Sequence, residues 1–285
     1  MARLLGRSAE QGDGGRKREK EGGGEILLIW RFIVVGSVVI LNIKIVQGNL
    51  AREMITWAQL GLQDAASPIM EEYMFFHDFT MVVLVFIIRF VGYIICRALA
   101  RPYINTGLLE GQAVECVWTL LPAVVLAQVA VPSLLLLYAL DEGVKSGLTL
   151  KVVGHQWYWS YEYSDFWGPR SGRVEFDAYM LRAEEAAPQR PRLLEADNHR
   201  PLPWGVHRRV LVRSADVLHS WAVPALGVKA DACPGRLNQV RFVGHRPGVL
   251  YGQCSEICGA NHRFIPITIE FVAPGDFLNW VGANL

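Results

Sequence analysis

Two long apolar segments constrain the fold of this chain more than any other feature of its sequence. They are residues 79–96, FTMVVLVFIIRFVGYIIC, and residues 116–140, CVWTLLPAVVLAQVAVPSLLLLYAL. A helix needs about 20 apolar residues to cross a bilayer, and both segments approach or exceed that length. Buried helices of a soluble protein are the alternative, but two such segments separated only by residues 97–115 fit it poorly. The segments therefore predict a transmembrane helical hairpin.

Charges around the hairpin predict its orientation. The linker carries Arg97 and Arg101 with the acid Glu110 between the two segments. Acids flank the outer ends of the two segments: Glu71, Glu72, Asp78, Asp141 and Glu142. Lys and Arg are enriched in loops on the cytoplasmic or matrix side of a membrane. The linker is therefore predicted to face that compartment, and both flanks the opposite one.

The first 53 residues do not fit the rest of the chain. A third apolar segment, residues 26–46, contains Arg31, Asn42 and Lys44 and is a weaker candidate span. It follows a stretch rich in glycine and charge, which is not expected to fold. An organelle transit peptide is one interpretation, but such peptides are poor in acids and the first 25 residues hold five. A tail or an artefact is the other, and the mature chain is predicted to begin at Met54.

Beyond Glu142 the sequence pattern changes to that of a β domain. Short alternating stretches such as LTLKVV, HRRVLVRS, NQVRFVG and ITIEFV are separated by Gly, Pro, Asn and Asp. Alternation with a period of two predicts strands, and many short strands at this spacing predict a β-sandwich or barrel. We therefore predict a membrane-anchored α+β chain with three parts: an atypical extension over 1–53, the hairpin over 54–142 and a β domain over 143–285.

Composition excludes two classes of protein. The formal net charge is only +1, which gives no basis for nucleic-acid binding. Five cysteines are too few for a fold held together by disulfides. The cysteines of the β domain are therefore candidates for other chemistry.

One loop of the β domain concentrates possible metal ligands. In YGQCSEICGANHRFIPI, residues 251–267, Cys254, Cys258 and His262 are spaced four apart, and the apolar Ile265 follows. A distant histidine, His219, lies in SADVLHSWAVP. Two thiolates and two imidazoles suit a copper electron-transfer site or a structural zinc site. A disulfide between the cysteines is a third possibility, although so small a ring would be strained. Spacing alone leaves these three possibilities open.

A second stretch, GHQWYWSYEY at residues 154–163, holds five aromatic residues. Trp and Tyr beside a membrane can form an interfacial belt. Strand alternation instead puts four of the rings on one face, with Tyr158 on the other and the acids Glu162 and Asp165 at the border. An aromatic surface rimmed with acids suits a basic partner that must bind and leave quickly, because complementary charge mainly raises the association rate.

Four motifs together closely resemble the mitochondrial type of the cytochrome c oxidase subunit 2 family. They are GHQWYWSYEYSDF, ADVLHSWAVPALGVK, PGRLNQ and YGQCSEICGANH, and the resemblance runs from about Met54 to the C-terminus. It implies a cupredoxin-like β-sandwich or barrel after the hairpin. It also implies a subunit that accepts electrons from cytochrome c and passes them to a catalytic haem-copper subunit, which reduces O2 to water and pumps protons.

The resemblance implies a metal centre of two copper ions, the CuA centre. Cys254 and Cys258 would bridge the two ions, with His219 and His262 as one further ligand each. Glu256 would ligate copper through its backbone carbonyl, and its carboxylate would reach a Mg2+ ion at the boundary with the catalytic subunit. Ile265 stands where the family has an axial methionine.

The resemblance also implies roles outside the metal loop. Trp157 would be the point at which the electron enters, and Glu115 would lie at the mouth of a proton channel in the catalytic subunit. Positions that the family uses around the docking face hold Gln156, Tyr158, Asp177 and Asp216. The copper domain would lie in the intermembrane space, anchored in the mitochondrial inner membrane. The rival interpretation is a copper-free relative that serves only as a structural or docking subunit of a terminal oxidase.

Four residues look out of place against this family, and one cause would explain them. Ile265 replaces methionine, and arginine stands at 89, 213 and 263, where serine is common. Some mitochondrial codes read ATA as methionine and AGA or AGG as serine. A gene of that kind translated with another codon table would give isoleucine and arginine at these positions. An arginine near the centre of a membrane helix costs roughly 2.5–3.5 kcal/mol on insertion scales. We therefore predict Met at 265 and Ser at the three arginine positions in the true protein.

Overall fold

A computed structural model of the chain describes residues 55, 59–101, 103–107, 109–141, 145–168, 172–182, 185 and 190–285. The expectations for the extension over 1–53, including the third apolar segment and the start at Met54, lie outside the described residues. The predicted boundary between hairpin and β domain likewise falls on undescribed residues, at 142–144.

Two long helices form where the apolar segments predicted them. Helix α1 is Pro68–Ala100 and helix α2 is Gln112–Asp141, of 33 and 30 residues. At 1.5 Å per residue they are about 50 and 45 Å long, more than the ~30 Å of a hydrocarbon core. The most apolar stretch of each helix has no buried residue, so their apolar side chains face outward. Both helices extend beyond the apolar segments because their polar ends are helical too.

A β domain follows the helices, as the alternating pattern predicted. Its strands are β1 Leu148–His155, β2 Tyr158–Gly168, β3 Gly172–Ala178, β4 Arg200–Pro203, β5 Arg208–Ser214, β6 His219–Val223, β7 Val228–Ala232, β8 Asn238–Phe242, β9 Gly248–Gln253 and β10 Pro266–Val272. A five-stranded sheet has the order β3-β2-β1-β5-β8, a three-stranded sheet the order β4-β10-β9, and β6 pairs with β7. The pairs β1–β5 and β4–β10 are parallel. A short helix, α3 (Pro274–Asn284), ends the chain. The predicted fold class is thus confirmed.

The aromatic strand β2 faces the core of this domain. Trp159, Tyr161 and Tyr163 share one face, as the alternation predicted, but each is 0% exposed. The hydroxyl of Tyr163 donates to the carbonyl of Pro201 at 2.8 Å, and the Trp221 indole N–H donates to the Tyr161 hydroxyl at 3.3 Å. The prediction that this face is a docking surface is therefore wrong for these three residues, because it packs against the second sheet.

The segment just before α1 is bound to the β domain. The Ala66 N–H donates to the carbonyl of Ala225 at 2.8 Å, and the Ser67 hydroxyl donates to the carbonyl of Leu226 at 2.7 Å. Ser67 also caps α1, because its Oγ accepts from the Met70 N–H. Since Ala225 and Leu226 directly follow β6, the hairpin is attached close to the strand that begins with His219.

Candidate metal centre

Three of the predicted ligands form one buried cluster. The ligand atoms of His219, Cys254 and Cys258 all lie within 4.8 Å of one another, and all three side chains are buried. His262 joins this cluster from one side, with its Nδ1 3.6 Å from the Cys258 Sγ. The four predicted donors are therefore brought together, although 35 residues separate His219 from Cys254.

The loop between β9 and β10 places three of these side chains. It is closed at its base by the Cys254 N–H, which donates to the carbonyl of Ile265 at 3.1 Å. A 3-10 turn over His262–Phe264 then directs His262 back toward Cys258. The Ser255 N–H donates to the carbonyl of Ser220 at 3.0 Å, which ties the loop to β6 and thus to His219.

The two thiols are not bonded to each other. Their Sγ atoms are 4.0 Å apart, about twice the length of a disulfide bond. Half of this separation is less than the ~2.3 Å of a metal–thiolate bond, so both sulfurs can reach one shared ion. The disulfide alternative therefore does not describe this structure, and the sulfur positions fit a metal site.

Asp216 fixes the orientation of the His219 ring. Its Oδ1 lies 2.8 Å from Nε2 of His219, which leaves Nδ1 directed at the Cys254 sulfur, 3.9 Å away. A carboxylate that accepts from the distal ring nitrogen is the usual support for a metal-binding histidine. Burial favours the neutral carboxyl group, but hydrogen bonds from His219 and from backbone N–H groups outweigh it and lower the pKa of Asp216. Asp216 is thus engaged by His219 and Gln156, although its side chain is still 32% exposed.

The two thiols differ in acidity. Burial by itself raises the pKa of the Cys254 thiol, but the hydrogen bond with His219 and nearby backbone contacts lower it overall. Burial and the neighbouring Cys254 thiolate raise the pKa of Cys258. One thiolate therefore forms readily, whereas the second needs a bound cation to stabilise it.

Glu256 and Ile265 lie at the cluster, with different capacities. The backbone carbonyl of Glu256 is 3.4 Å from the Cys254 sulfur, so it is close enough to take part in a site there. The Ile265 side chain is 1% exposed and belongs to the same apolar cluster as Cys254 and Cys258. It can pack against the sulfurs but offers no ligand atom.

The turn between β1 and β2 packs against the cluster. Gln156 donates through Nε2 to the carbonyl of Cys258 at 2.7 Å, and through its backbone N–H to Oδ2 of Asp216 at 2.6 Å. The peptide bond between Gln156 and Trp157 is cis. A Cβ placed on Gly259 would lie 3.2 Å from the Trp157 indole nitrogen, so this glycine allows the ring to approach the loop closely.

The remaining predicted docking residues separate into two groups. Tyr158 is stacked between His155 and Tyr179, with ring centroids 4.6 Å apart on each side. The Tyr179 hydroxyl donates weakly to Asp177 at 3.5 Å, and Ser160 donates to the same carboxylate at 2.6 Å. We call His155, Tyr158, Tyr179 and Asp177 the aromatic patch.

Glu162 and Asp165 do not border this patch. Glu162 is 6% exposed and is bound by Lys151 at 2.5 Å and Arg173 at 2.8 Å, so its charge is already neutralised. Asp165 accepts from the Thr149 N–H near the other end of β2. At about 3.3 Å per strand residue, it is about 25 Å from Trp157. The expectation of one acid-rimmed surface is therefore wrong for both residues.

Glu115 lies far from the metal cluster. It is in the first turn of α2, where its Oε1 accepts from the Gly111 N–H at 3.3 Å. Helix α2 extends about 45 Å from there to the β domain. Glu115 is therefore on the linker side of the hairpin.

Sequence reasoning missed the role of Gly154. A Cβ at this position would lie 2.9 Å from the imidazole of His219, so any other residue would displace the ring. The carbonyl of Gly154 also accepts from the Ala215 N–H at 3.0 Å, which holds the Asp216 turn against β1. The only signal in the sequence is a glycine directly before the HQWYW motif.

Comparison with known families identifies both parts of the fold. The family model described as cytochrome C oxidase subunit II, periplasmic domain, matches residues 148–272. The model described as cytochrome C oxidase subunit II, transmembrane domain, matches residues 55–136. Together they cover most of the chain, and the first includes all four candidate metal donors.

The chain is also similar to individual curated proteins and to a solved structure. Cytochrome c oxidase subunit 2 of Periplaneta americana is 54% identical over 228 residues, which cover 80% of this chain and 98% of the relative. The protein of the same name from Drosophila melanogaster is 54% identical over 231 residues, covering 81% and 99%. The crystal structure of the periplasmic domain of subunit II of cytochrome oxidase (CoxB) of Bradyrhizobium japonicum is 45% identical. It covers 50% of this chain and 95% of its own, with a TM-score of 0.44.

Proposed function

The chain belongs to the cytochrome c oxidase subunit II family and is a component of that oxidoreductase complex, and from this premise we propose how it carries electrons. It accepts single electrons from cytochrome c at a centre of two copper ions and passes them to the O2-reducing subunit. No residue of this chain makes or breaks a bond in O2. The reduction of O2 and the pumping of protons belong to the complex.

The observation that carries this proposal is the arrangement of the four donors. They form a row, His219–Cys254–Cys258–His262, with the sulfurs in the middle and one imidazole beside each sulfur. His219, Cys254 and Cys258 form the mutually close group of donors, and His262 contacts Cys258 at the edge of that group. A row with two central thiolates suits two soft ions that share the sulfurs.

The residues of this chain hold and shield the centre. Cys254 and Cys258 supply thiolates, and His219 supplies a neutral ring whose distal nitrogen is held by Asp216. Ile265 and the sandwich core keep water away from the sulfurs. Two copper ions held by these residues would supply a site that gains and loses one electron at a time. The carbonyl of Glu256 would complete the copper site, and its carboxylate would bind Mg2+ at the boundary with the catalytic subunit.

Electron entry is assigned to the surface beside the metal loop. Trp157 lies against Gly259, next to Cys258, and the aromatic patch surrounds Tyr158, the residue that follows Trp157. A partner with positive charge around an exposed redox group, such as cytochrome c, would approach the patch through Asp177. Because the acids at the patch are few, they would raise the association rate more than the affinity.

The hairpin anchors the chain in the mitochondrial inner membrane, as the mitochondrial relatives and the two apolar helices imply. We infer that the β domain lies in the intermembrane space and that the linker with Arg97 and Arg101 faces the matrix. Glu115 then lies on the matrix side, where it would line the entrance of a proton path in the catalytic subunit. The apolar outer faces of α1 and α2 would contact lipid and neighbouring subunits.

A copper-free docking subunit was the rival interpretation, and no observation favours it. All four donors are present and neighbouring donor atoms are no more than 4.0 Å apart. A subunit that had lost copper would have no physical reason to keep buried thiols in this arrangement.

Rapid mixing of reduced cytochrome c with the oxidase complex containing this chain tests the proposal. The Cys254→Ser variant should lose the fast one-electron oxidation of cytochrome c, because it removes a bridging thiolate. The Cys233→Ser variant is the control, since Cys233 is a half-buried thiol of the same domain outside the metal cluster. Equal rates in the Cys254→Ser variant and the parent would contradict the proposal.

A further inference from the structure

Gln156 connects the two halves of the metal centre. Its backbone N–H donates to Oδ2 of Asp216 at 2.6 Å, and the other oxygen of Asp216 holds Nε2 of His219 at 2.8 Å. Its side-chain Nε2 donates to the carbonyl of Cys258 at 2.7 Å. A single residue of the β1–β2 turn therefore contacts the support of one ligand and the backbone of another, 102 residues away in sequence.

The neighbour of Gln156 is the proposed entry point for the electron. Trp157 occupies the second position of the same two-residue turn, because His155 already pairs with Tyr158. Its indole lies against Gly259, the residue after Cys258. Its Nε1 is buried and has no hydrogen-bond partner among the described protein atoms. The ring is thus not held by a hydrogen bond of its own, and its distance from Cys258 depends on how the turn is attached.

The side chain of Gln156 provides that attachment. The hydrogen bond from Nε2 to the Cys258 carbonyl is the side-chain link between the turn and the metal loop, and it is short for an amide donor. Gln156 is nevertheless an exposed residue, so the docking role that the resemblance implied is the alternative that the test must separate from positioning.

We propose that Gln156 is a positioning residue for electron transfer, which clamps the Trp157 turn onto the carbonyl of Cys258. The inference rests on the proposed function. In the step concerned, the iron of reduced cytochrome c loses one electron and the copper centre gains it, with no bond or proton exchanged. The hydrogen bond keeps the indole and the Cys258 loop in contact and supplies a bonded path between them.

The test uses the assembled oxidase carrying Gln156→Met, which retains the length of the side chain and the backbone N–H but removes the side-chain donor. We expect the first-order transfer of the electron within the bound complex to fall roughly tenfold, as for other supports of metal ligands. The association rate with cytochrome c and its salt dependence should stay at the parent values. The copper content and optical spectrum should also be retained, because no ligand is removed.

Two further variants distinguish the competing roles. Gln156→Asn keeps an amide for a docking partner but is one methylene too short to reach Cys258, so it should behave as Gln156→Met does. Asp177→Asn, in the aromatic patch, should slow association and leave first-order transfer unchanged. A Gln156→Met complex that loses association but not transfer would overturn the inference in favour of docking, and one that loses copper would overturn it in favour of a structural role.

The inference and the proposed function can fail separately. If Gln156→Met has no effect while Cys258→Ser still abolishes transfer, the positioning role is wrong and the copper-carrier function stands. If Cys258→Ser also transfers electrons at the parent rate, the proposed function itself is wrong.

Discussion

Two arginines, Arg200 and Arg208, lie wholly inside the β domain, and each is 0% exposed. None of the three guanidinium nitrogens of Arg200 has a hydrogen-bond partner among the described protein atoms. Arg208 donates to the carbonyl of Pro203, but its Nε and Nη1 have no partner there. The guanidinium of Arg200 lies 4.2 Å from the centre of the Tyr161 ring. A cation–π contact is worth about 2 kcal/mol when desolvated, which does not offset the several kcal/mol of burying a charge.

Replacing either buried arginine by methionine should therefore stabilise the fold. Methionine has a similar length and adapts to irregular spaces, so Arg200→Met and Arg208→Met should each raise the free energy of unfolding by about 1–4 kcal/mol. Chemical denaturation of the detergent-solubilised chain measures this. Arg213→Met, on the exposed side of the same strand as Arg208, is the matched control and should change little. A loss of stability in both core variants would contradict the account.

The same prediction has a pH dependence. Burial lowers the pKa of Arg208 to about 9, so the native state binds this proton more weakly than the unfolded state does. The stability of the parent should therefore rise as the pH rises through about 9, and this contribution should be absent in Arg208→Met.

Asp216 provides a prediction about metal affinity. Asp216→Ala removes the acceptor that holds the His219 ring, so copper affinity should fall ten- to a hundredfold, roughly the usual effect of losing such a partner. Titration against a copper chelator measures the change. Asp231→Ala removes another carboxylate, one that accepts from the Ser220 hydroxyl, and should leave the affinity unchanged. Equal losses in both variants would mean that general charge, and not ring orientation, sets the affinity.

Ile265 provides a prediction about redox tuning. Four strong donors remain without it, so copper should bind to the chain that carries Ile265. Ile265→Met would add a weak axial thioether and should change the reduction potential and the optical spectrum. Identical potentials and spectra would contradict this. The gene gives an independent check. Codons other than ATA at 265, or other than AGA or AGG at 89, 213 and 263, would rule out the explanation that the gene was translated with the wrong codon table.

At the scale of elements, the segment before α1 joins the hairpin to the β domain through Ser67. Ser67→Ala removes the helix cap and the donor to the Leu226 carbonyl, which should cost about 1–2 kcal/mol locally. Amide hydrogen exchange at Ala66 and Met70 should then become roughly 5–30 times faster. Thr80→Ala is the control, because its hydroxyl bonds only within the helix, to the Phe76 carbonyl. Unchanged exchange in the Ser67 variant would mean that other contacts hold the segment.

The helices and strands were predictable from the sequence, but which face of each strand points into the core was only partly predictable. Apolar length predicted α1 and α2, and period-two alternation predicted strands such as β1 and β5. The same alternation put Trp159, Tyr161 and Tyr163 on one side of β2, yet it cannot tell an inner face from an outer one. Spacing placed Cys254 and Cys258 in one loop, whereas the contact of Gln156 with Cys258 joins residues 102 apart and has no local signature.

At the scale of the whole molecule, the candidate metal donors lie in the β domain, and the exposed apolar surface lies on α1 and α2. The metal donors lie where the start of β6 and the β9–β10 loop meet, whereas Ala66 and Ser67 attach the hairpin just after the end of β6. Fixing a redox centre at a set height above the membrane suits a subunit that passes electrons to a membrane-embedded neighbour. Glu115, at the far end of α2, lies too distant from the centre to influence it directly.

The electron paramagnetic resonance spectrum of the oxidised, copper-loaded protein tests the central claim most directly. If Cys254 and Cys258 bridge two ions that share one unpaired electron, the hyperfine pattern must be that of two equivalent copper nuclei. The Cys258→Ser variant should lose this pattern. A parent spectrum with the hyperfine pattern of a single copper nucleus, or no copper bound at all, would contradict the account.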